Sequence, residues 1–293
     1  LRRFRAVLDE YPAATAVGEV GDALIEDPRV KGISFTGSTA VGRHIAAKCG
    51  AHLKKCCVEL GGKDSMIVLE DADLDKAAEA ANFGSFMHQG QVCMSTEKLL
   101  IHDSVYEPFM QKFLARASKL KTGHVNDKTN VIGPLVNTRQ AHRVKALIDD
   151  AVAKGAHLAL GGNAWENFVE PTVLTHVDRS MDIWHDETFG PVVIVAPFRT
   201  EDEAIEMNND TEYGLTAAVW TANEGRALQM AGRLETGMVH INDQNINDEP
   251  QVPFGGVKAS GVGRYGGRWS LDAFTELRWI TLERGGRHYP PVF

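Results

Sequence analysis

The chain of 293 residues has an ordinary globular composition, with 43% hydrophobic and 24% charged residues. It is long enough for two packed domains. Its formal net charge of -8 is unfavourable for binding nucleic acid or an anionic membrane surface. No apolar run approaches the roughly 18 residues that span a bilayer, and the basic residues 1–5 lack the following apolar segment of a secretory signal. We therefore predict neither a nucleic-acid partner nor a membrane partner.

The four cysteines indicate the compartment. Adjacent Cys56 and Cys57 rarely bridge each other, so these two with Cys49 and Cys93 make a poor disulfide framework. No Cys-x2-Cys pair or spaced histidine pair accompanies them, so no metal site is predicted. We expect a protein of the reducing cytoplasm, in which all the cysteines except Cys93 have structural roles.

Strand and helix patterns alternate along the chain, which predicts an α/β fold with mostly parallel sheets. A short strand over residues 32–35 runs into the turn Thr36-Gly-Ser-Thr-Ala-Val-Gly42 and then a helix that ends near Gly50. Further strands are predicted over residues 54–60, 65–69, 98–102, 192–197, 215–221 and 238–241. Further helices are predicted over residues 73–86, 103–121, 138–154, 201–207 and 223–234. Residues 274–282 alternate apolar and polar side chains, the pattern of an edge strand.

Two segments supply the candidate catalytic residues. Cys93 stands in His88-Gln-Gly-Gln-Val-Cys-Met-Ser-Thr96, whose small and polar residues suit a turn with amides that favour a thiolate. Glu59 stands in Val58-Glu-Leu-Gly-Gly-Lys63, directly after a predicted strand. A thiol with a nearby general base is the equipment of covalent acyl chemistry. Taken alone, each residue also fits a structural role, as an inert buried thiol and as a solvated carboxylate.

The turn over residues 36–42 is a candidate phosphate site. It lies between a strand and a helix, where backbone amides and the helix dipole bind a pyrophosphate. Its glycines, Gly37 and Gly42, follow a G-x-x-x-x-G pattern instead of the G-x-G-x-x-G of ordinary dinucleotide folds. A turn of this kind is common in proteins. It indicates a dinucleotide site only in combination with the segments that contain Glu59 and Cys93.

Together these segments resemble the aldehyde dehydrogenase superfamily over nearly the whole chain from about Val17. The resemblance implies that Cys93 is the nucleophile and that Glu59 is the general base that activates water. The run Glu187-Thr-Phe-Gly-Pro191 is a third matching segment. The resemblance further implies an NAD or NADP cofactor, without distinguishing the two, and assigns the following residues to it: Gly37, Ser38, Gly42, Leu60, Gly61, Glu187 and Phe189.

A substrate pocket is also implied by the resemblance. The matching run of residues 253–264 supplies Phe254, an aromatic wall that suits an apolar aldehyde, although Phe254 fits core packing equally well. Val92 and Met94, on either side of the nucleophile, are assigned to the same pocket. Residues 209–215 and 237–242 match the family too, and we assign them to turns and strand ends.

The sequences of two segments indicate the class of substrate. Residues 88–96 and 240–267 are most similar to the benzaldehyde, salicylaldehyde and vanillin dehydrogenases, which implies a small aromatic aldehyde as the substrate. Many relatives carry a proton-relaying Glu after the Gly-Arg of the last motif, whereas this chain has Tyr265. The resemblance therefore does not extend to that proton route.

The resemblance divides the chain into three parts. Residues 1–60 are the C-terminal half of a Rossmann-type dinucleotide-binding domain, and residues 61–268 are the catalytic domain. Residues 269–293 are an oligomerisation strand and tail, which implies a homo-oligomer through strand addition. The family's Pro-Trp-Asn motif is absent, so we expect an N-terminally truncated member that lacks roughly 150–200 residues, or one domain. Loss of the Asn of that motif, an oxyanion donor, typically costs roughly 10²–10³ in rate.

The favoured function is oxidation of an aromatic aldehyde to the acid through a Cys93 thiohemiacetal and thioester. Two alternatives stay open at this point. Cys93 and Glu59 could hydrolyse activated esters without a cofactor, because acylation and deacylation need no nicotinamide. Alternatively, the chain could be a catalytically silent assembly protein that uses an unpaired sheet edge and residues 274–282.

Overall fold

The computed structural model describes residues 17–292, so the basic residues 1–5 lie outside it. Its strands and helices alternate, as the sequence predicts. The strands are β1 (Gly32–Thr36), β2 (Lys55–Glu59), β3 (Asp64–Val68), β4 (Thr96–His102), β5 (His157–Leu160), β6 (Ala164–Trp165), β7 (Phe168–Val169), β8 (Thr172–Thr175), β9 (Val192–Phe198), β10 (Thr216–Trp220), β11 (Met238–Ile241) and β12 (Gly261–Val262). The helices are α1 (Val17–Glu26), α2 (Thr39–Ala51), α3 (Leu74–Phe86), α4 (Tyr106–Ala117), α5 (Thr138–Ala153), α6 (Asp182–His185), α7 (Glu201–Asn209), α8 (Glu224–Ala231) and α9 (Gly267–Phe274).

A seven-stranded sheet forms the larger part of the fold. Its strand order is β11-β10-β3-β4-β9-β8-β5, and every neighbouring pair is parallel except β5 with β8. The prediction of a mostly parallel α/β fold is therefore confirmed. Because successive side chains of a strand point to opposite faces, Met66 and Val68 face one apolar layer, and Ile67 and Leu69 face the other.

Helices cover both faces of this sheet. Helices α3 and α4 bury one layer, in which the Phe109 and Phe113 rings stack with centroids 5.9 Å apart. Helices α5, α6, α7 and α8 bury the other layer. Burial of both faces explains why the strands of a parallel sheet are apolar almost throughout. Within residues 17–292, no helix has the length and apolar character needed to cross a membrane.

A three-stranded sheet of order β1-β2-β12 lies beside the larger one. Strands β1 and β2 are parallel, and β12 runs antiparallel to β2. Helix α2 packs on this sheet around Ile45, Cys49 and Val58. The chain changes sheet between β2 and β3, close to the predicted domain boundary at residue 60. Strand β12 nevertheless comes from the segment assigned to the catalytic domain, and the division into three parts stays a prediction.

Several element boundaries differ from the sequence prediction. The helix predicted over residues 103–121 spans Tyr106–Ala117, because Asp103–Val105 forms a separate 3-10 turn. Asp73, the first residue of the predicted helix, is the N-cap of α3, and its Oδ1 accepts from the Lys76 amide at 3.2 Å. Strands β5 and β8, of four residues each, went unpredicted.

The predicted terminal strand over residues 274–282 is wrong as an element of the single chain. Phe274 ends helix α9, and residues 275–282 pair with no strand among residues 17–292. A strand exists only with a hydrogen-bonded neighbour, which an alternating pattern alone does not supply. The side chains of Leu277 and Trp279 are 102% and 93% exposed, so the segment leaves large apolar groups uncovered.

Candidate active site

A cavity of about 800 Å³ lies where the two sheets meet. It is bordered by the ends of β1 and β2, by the loop before β4 and by the loop before β9. Within residues 17–292 it is lined by Thr36, Gly37, Ser38, Thr39, Ala40, Arg43, Glu59, Leu60, Gly61, Gln91, Val92, Cys93, Gln140, Arg143, Glu187, Phe189, Glu212 and Tyr213. Segments far apart in the chain therefore bring the candidate nucleophile, base and phosphate turn into one space.

Cys93 and Glu59 face each other in this cavity. Burial raises the pKa of Glu59 to about 7, and contact with the Cys93 thiol opposes the rise. The pKa of Cys93 is raised well above its ordinary value by burial, then by the negative charge of Glu59, and further by Asp64 and Glu187. Glu59 Oε1 has no hydrogen-bond partner within the described chain. Near neutral pH the pair therefore holds a thiol beside a carboxyl group that can gain or lose a proton.

A left-handed turn precedes Cys93. His88, Gln89 and Gly90 have φ of 49°, 59° and 66°, a conformation that costs L-residues roughly 1–2 kcal/mol each. A Cβ on Gly90 would lie 2.1 Å from the carbonyl oxygen of Gly190. Only glycine fits there, and the turn directs the chain so that Cys93 enters the cavity.

The turn after β1 presents backbone amides to the same cavity. Ser38 is the N-cap of α2, and its side chain makes no capping hydrogen bond within the described chain. The first turn of α2 has no acidic residue, so nothing in it opposes an anion. A Cβ on Gly37 would lie 2.5 Å from the Phe35 ring. Free amides at the start of a 13-residue helix suit a pyrophosphate group.

The loop before β9 forms the opposite wall. Glu187 Oε1 accepts from the Gly62 amide at 3.2 Å, and a Cβ on Gly61 would lie 2.6 Å from the Glu187 carboxylate. Burial, followed by the charge of Glu97, raises the pKa of Glu187 to about 7, whereas the Gly62 amide opposes the rise. The Gly-Gly pair therefore lets the chain approach a carboxyl group that points into the cavity.

The cavity includes most, but not all, of the predicted site residues. Cys93, Glu59, Val92, Gly37, Ser38, Leu60, Gly61, Glu187 and Phe189 line it. Gly42 lies behind it, where a Cβ would meet the Leu60 side chain at 2.3 Å. Met94 is buried and Phe254 is half-buried, and neither lines the cavity. The Tyr265 hydroxyl donates to the carbonyl oxygen of Cys57 at 2.8 Å, so it ties β2 to the chain after β12.

Sequence reasoning missed several lining residues. Gln140 and Arg143, one turn apart on α5, donate to the backbone carbonyls of the loop before β9. Their spacing was the available signal, but an exposed polar helix face shows the same spacing. Glu212 and Tyr213 come from a segment assigned to turns, and Glu212 pairs with Arg43 at 2.7 Å at the cavity wall.

The chain belongs to the aldehyde dehydrogenase family, whose family model matches residues 14–280. It is 45% identical over 284 residues to a vanillin dehydrogenase of Pseudomonas fluorescens, which covers 97% of this chain and 58% of that protein. It is 44% identical over 273 residues to a benzaldehyde dehydrogenase [NAD(+)] of Pseudomonas putida, which covers 93% of this chain and 56% of that protein.

Solved structures agree with this family assignment. The crystal structure of a salicylaldehyde dehydrogenase from Pseudomonas putida G7, complexed with salicylaldehyde, matches with a TM-score of 0.92 and 42% identity. The match covers 95% of this chain and 58% of that one. The α/β aldehyde dehydrogenase fold is therefore confirmed. The chain spans somewhat more than half the length of the relatives it matches.

The electrostatics of the catalytic pair give a first prediction. Glu59→Gln removes the carboxylate that raises the pKa of Cys93, so more thiolate is present at a given pH. We expect iodoacetamide to alkylate Cys93 several-fold faster at pH 8.5, where Glu59 is ionised, and little faster at pH 6. The alkylation rate is followed by mass spectrometry. Glu212→Gln, a change on the same cavity wall, serves as the matched control, and slower alkylation of Glu59→Gln would contradict the prediction.

Proposed function

We propose that this chain carries the catalytic machinery of an NAD(P)-dependent dehydrogenase that oxidises an aromatic aldehyde to the carboxylic acid. The observation that carries the proposal is the Cys93–Glu59 pair in one cavity with the amide-rich turn before α2. A nucleophile, a base with a pKa about 7 and an anion-binding helix start are the parts that this chemistry needs.

The residues present fit a nicotinamide dinucleotide. From Ser38 onward, the amides at the start of α2 can bind the pyrophosphate, whereas the Gly37 amide donates to the Glu59 carbonyl at 3.1 Å. On the opposite side, Gly61 leaves room beside the Glu187 carboxylate, which can accept hydrogen bonds from ribose hydroxyls. Phe189 supplies an apolar surface between these groups and the nucleophile. When bound, the cofactor accepts the hydride that leaves the former aldehyde carbon.

The chain's own residues divide the reaction into two covalent stages. Cys93 Sγ bonds to the aldehyde carbon while the thiol proton passes to the carbonyl oxygen, which gives a thiohemiacetal. The thiohemiacetal becomes a thioester when its hydride passes to the nicotinamide and its hydroxyl proton is released to water. Glu59 then takes a proton from water, and the resulting hydroxide bonds to the thioester carbon. The carbon–sulfur bond breaks, the acid leaves, and the sulfur regains a proton. Glu59 suits the second stage because its pKa of about 7 lets it both accept and release a proton near neutral pH.

The substrate class is supported by the apolar wall and by the relatives. Val92 and Phe189 line the cavity beside Cys93 and can contact an aromatic ring. The three matched proteins are dehydrogenases of vanillin, benzaldehyde and salicylaldehyde. We infer that the substrate of this chain belongs to the same class of small aromatic aldehydes. Four free cysteines support the reducing cytoplasm as the place of action.

We also infer that the chain forms a homo-oligomer through its C-terminal segment. Leu277, Trp279, Ile280 and Leu282 are between 72% and 102% exposed, a large apolar patch for the surface of a monomer. Strands β1 and β11 are both edge strands to which a second copy could add a strand.

The dehydrogenase proposal predicts NADH formation from benzaldehyde or salicylaldehyde, and its loss in Cys93→Ala, because Cys93 is the only thiol among residues 17–292 that lines the cavity. The absorbance of NADH at 340 nm is the measurement. Cys57→Ala, a cysteine of β2 outside the cavity lining, is the control that should keep activity. A folded wild type that makes no NADH would overturn the proposal.

The pKa of Glu59 predicts the pH dependence. Because the base works only when ionised, kcat should rise with pH through about 7 and level off above it. Glu187 also has a pKa about 7, so Glu187→Gln is the matched control and should keep the rising limb. If kcat is constant between pH 6 and 8, or if its rise with pH is lost in Glu187→Gln, the rise does not report the ionisation of Glu59.

The oligomer proposal predicts that Trp279→Glu lowers the molar mass in solution. A charge in an apolar contact between copies costs free energy, whereas on a free surface it does not. Light scattering after size-exclusion chromatography measures the mass. Leu53→Glu, at a 96% exposed leucine before β2, should leave the mass unchanged, and a monomeric wild type would end the proposal.

A further inference from the structure

Three segments that carry the proposed functional side chains meet at one buried ion pair. Lys63 Nζ lies 2.7 Å from Glu97 Oε2, and the two side chains are 0% and 4% exposed. Lys63 comes four residues after Glu59, and Glu97 comes four residues after Cys93. Neither charged group lines the cavity, so the pair acts on the site from behind.

The Glu97 carboxylate also binds the third segment. The Thr188 amide donates to both of its oxygens, at 2.9 and 2.8 Å, and the Phe189 amide donates to Oε1 at 2.9 Å. Lys63 Nζ adds a bond to Thr188 Oγ1 at 3.1 Å. The two residues after Glu187 are therefore held by Glu97 through their backbone and by Lys63 through a side chain.

This attachment fixes a strained piece of backbone. Phe189 has φ of 49°, a left-handed conformation that persists only where the surroundings determine it. The bond from the Phe189 amide to Glu97 supplies such a constraint on one side. Gln140 Nε2 donates to the Phe189 carbonyl at 2.9 Å and supplies another from the cavity side.

We propose that Glu97 is a positioning residue, which orients Glu187 and Phe189 for the cofactor by tying their loop to the segments of the nucleophile and the base. The inference rests on the proposed function, because it assumes that Glu187 and Phe189 contact a nicotinamide dinucleotide. Glu97 itself touches neither substrate nor cofactor. Its effect passes through the amides of Thr188 and Phe189.

Two variants of Glu97 should weaken cofactor binding to different extents. Glu97→Gln keeps one oxygen to accept from the amides but loses the ion pair, whereas Glu97→Ala loses both. Misplacement of a binding group by about 1 Å can cost up to 10²-fold. We therefore expect the dissociation constant of NADH, measured by its fluorescence, to rise roughly tenfold in Glu97→Ala and less in Glu97→Gln.

A second measurement separates positioning from general damage. Iodoacetamide alkylation of Cys93 without cofactor should stay within about twofold of wild type in both variants, because the hydrogen bonds of Glu97 within residues 17–292 go to Lys63, Thr188 and Phe189 and not to Cys93 or Glu59. Asp71→Asn is the control for lost stability, since Asp71 accepts from Thr221 Oγ1 and the Ala222 amide far from the cavity. It should leave NADH binding unchanged.

A third measurement needs no cofactor. Hydrogen exchange of a peptide over residues 186–191 should accelerate in Glu97→Ala, whereas a peptide over β10 should not change. Unchanged exchange at 186–191, or NADH binding and Cys93 alkylation that weaken in parallel, would overturn the positioning role. If wild type binds no NADH although exchange at 186–191 responds as expected, the proposed function fails and Glu97 has only a structural role.

Discussion

The buried ion pair of Lys63 and Glu97 is the interaction that joins the three segments of the candidate site. Removing two charges from water costs several kcal/mol for each ion, and the pair persists because its remaining hydrogen-bonding capacity is used. Glu97 accepts from two backbone amides, and Lys63 also donates to Thr188. The loop before β9, the turn after β2 and the start of β4 thus share one buried polar anchor.

Carboxyl groups cluster in the cavity and directly behind its wall. Glu59, Glu187 and Asp64 all have a raised pKa, each mainly because of burial. Their charges also oppose ionisation of Cys93. A resting site of this kind keeps its nucleophile as a thiol, which is less easily oxidised or alkylated than a thiolate. A positively charged group that enters the cavity reduces this opposition, so reactivity is coupled to occupancy.

Local patterns predicted much of the fold and the site. The strands around Glu59 and Cys93 and the turn before α2 follow from periodicity, glycines and motifs close in sequence. The lining residues Gln140 and Arg143 did not, because a polar helix face looks the same whether it faces water or a cavity. The strand predicted after Phe274 is absent from the single chain, since an alternating pattern does not show which strand would pair with it. The roles of Met94 and Phe254 in a substrate pocket stay predictions, as both lie off the cavity lining.

The left-handed turn before Cys93 depends on a contact between residues that are far apart in the sequence. Its residues adopt an unfavourable conformation, and Gly90 is pressed against Gly190 at the start of β9. A strained local turn is not stable on its own, so it forms only after a contact between residues far apart in sequence. The turn that presents the thiol therefore depends on the contact between Gly90 and Gly190, which is far away in the sequence. A chain that is still emerging from the ribosome has the cysteine but not yet the geometry that makes it a nucleophile.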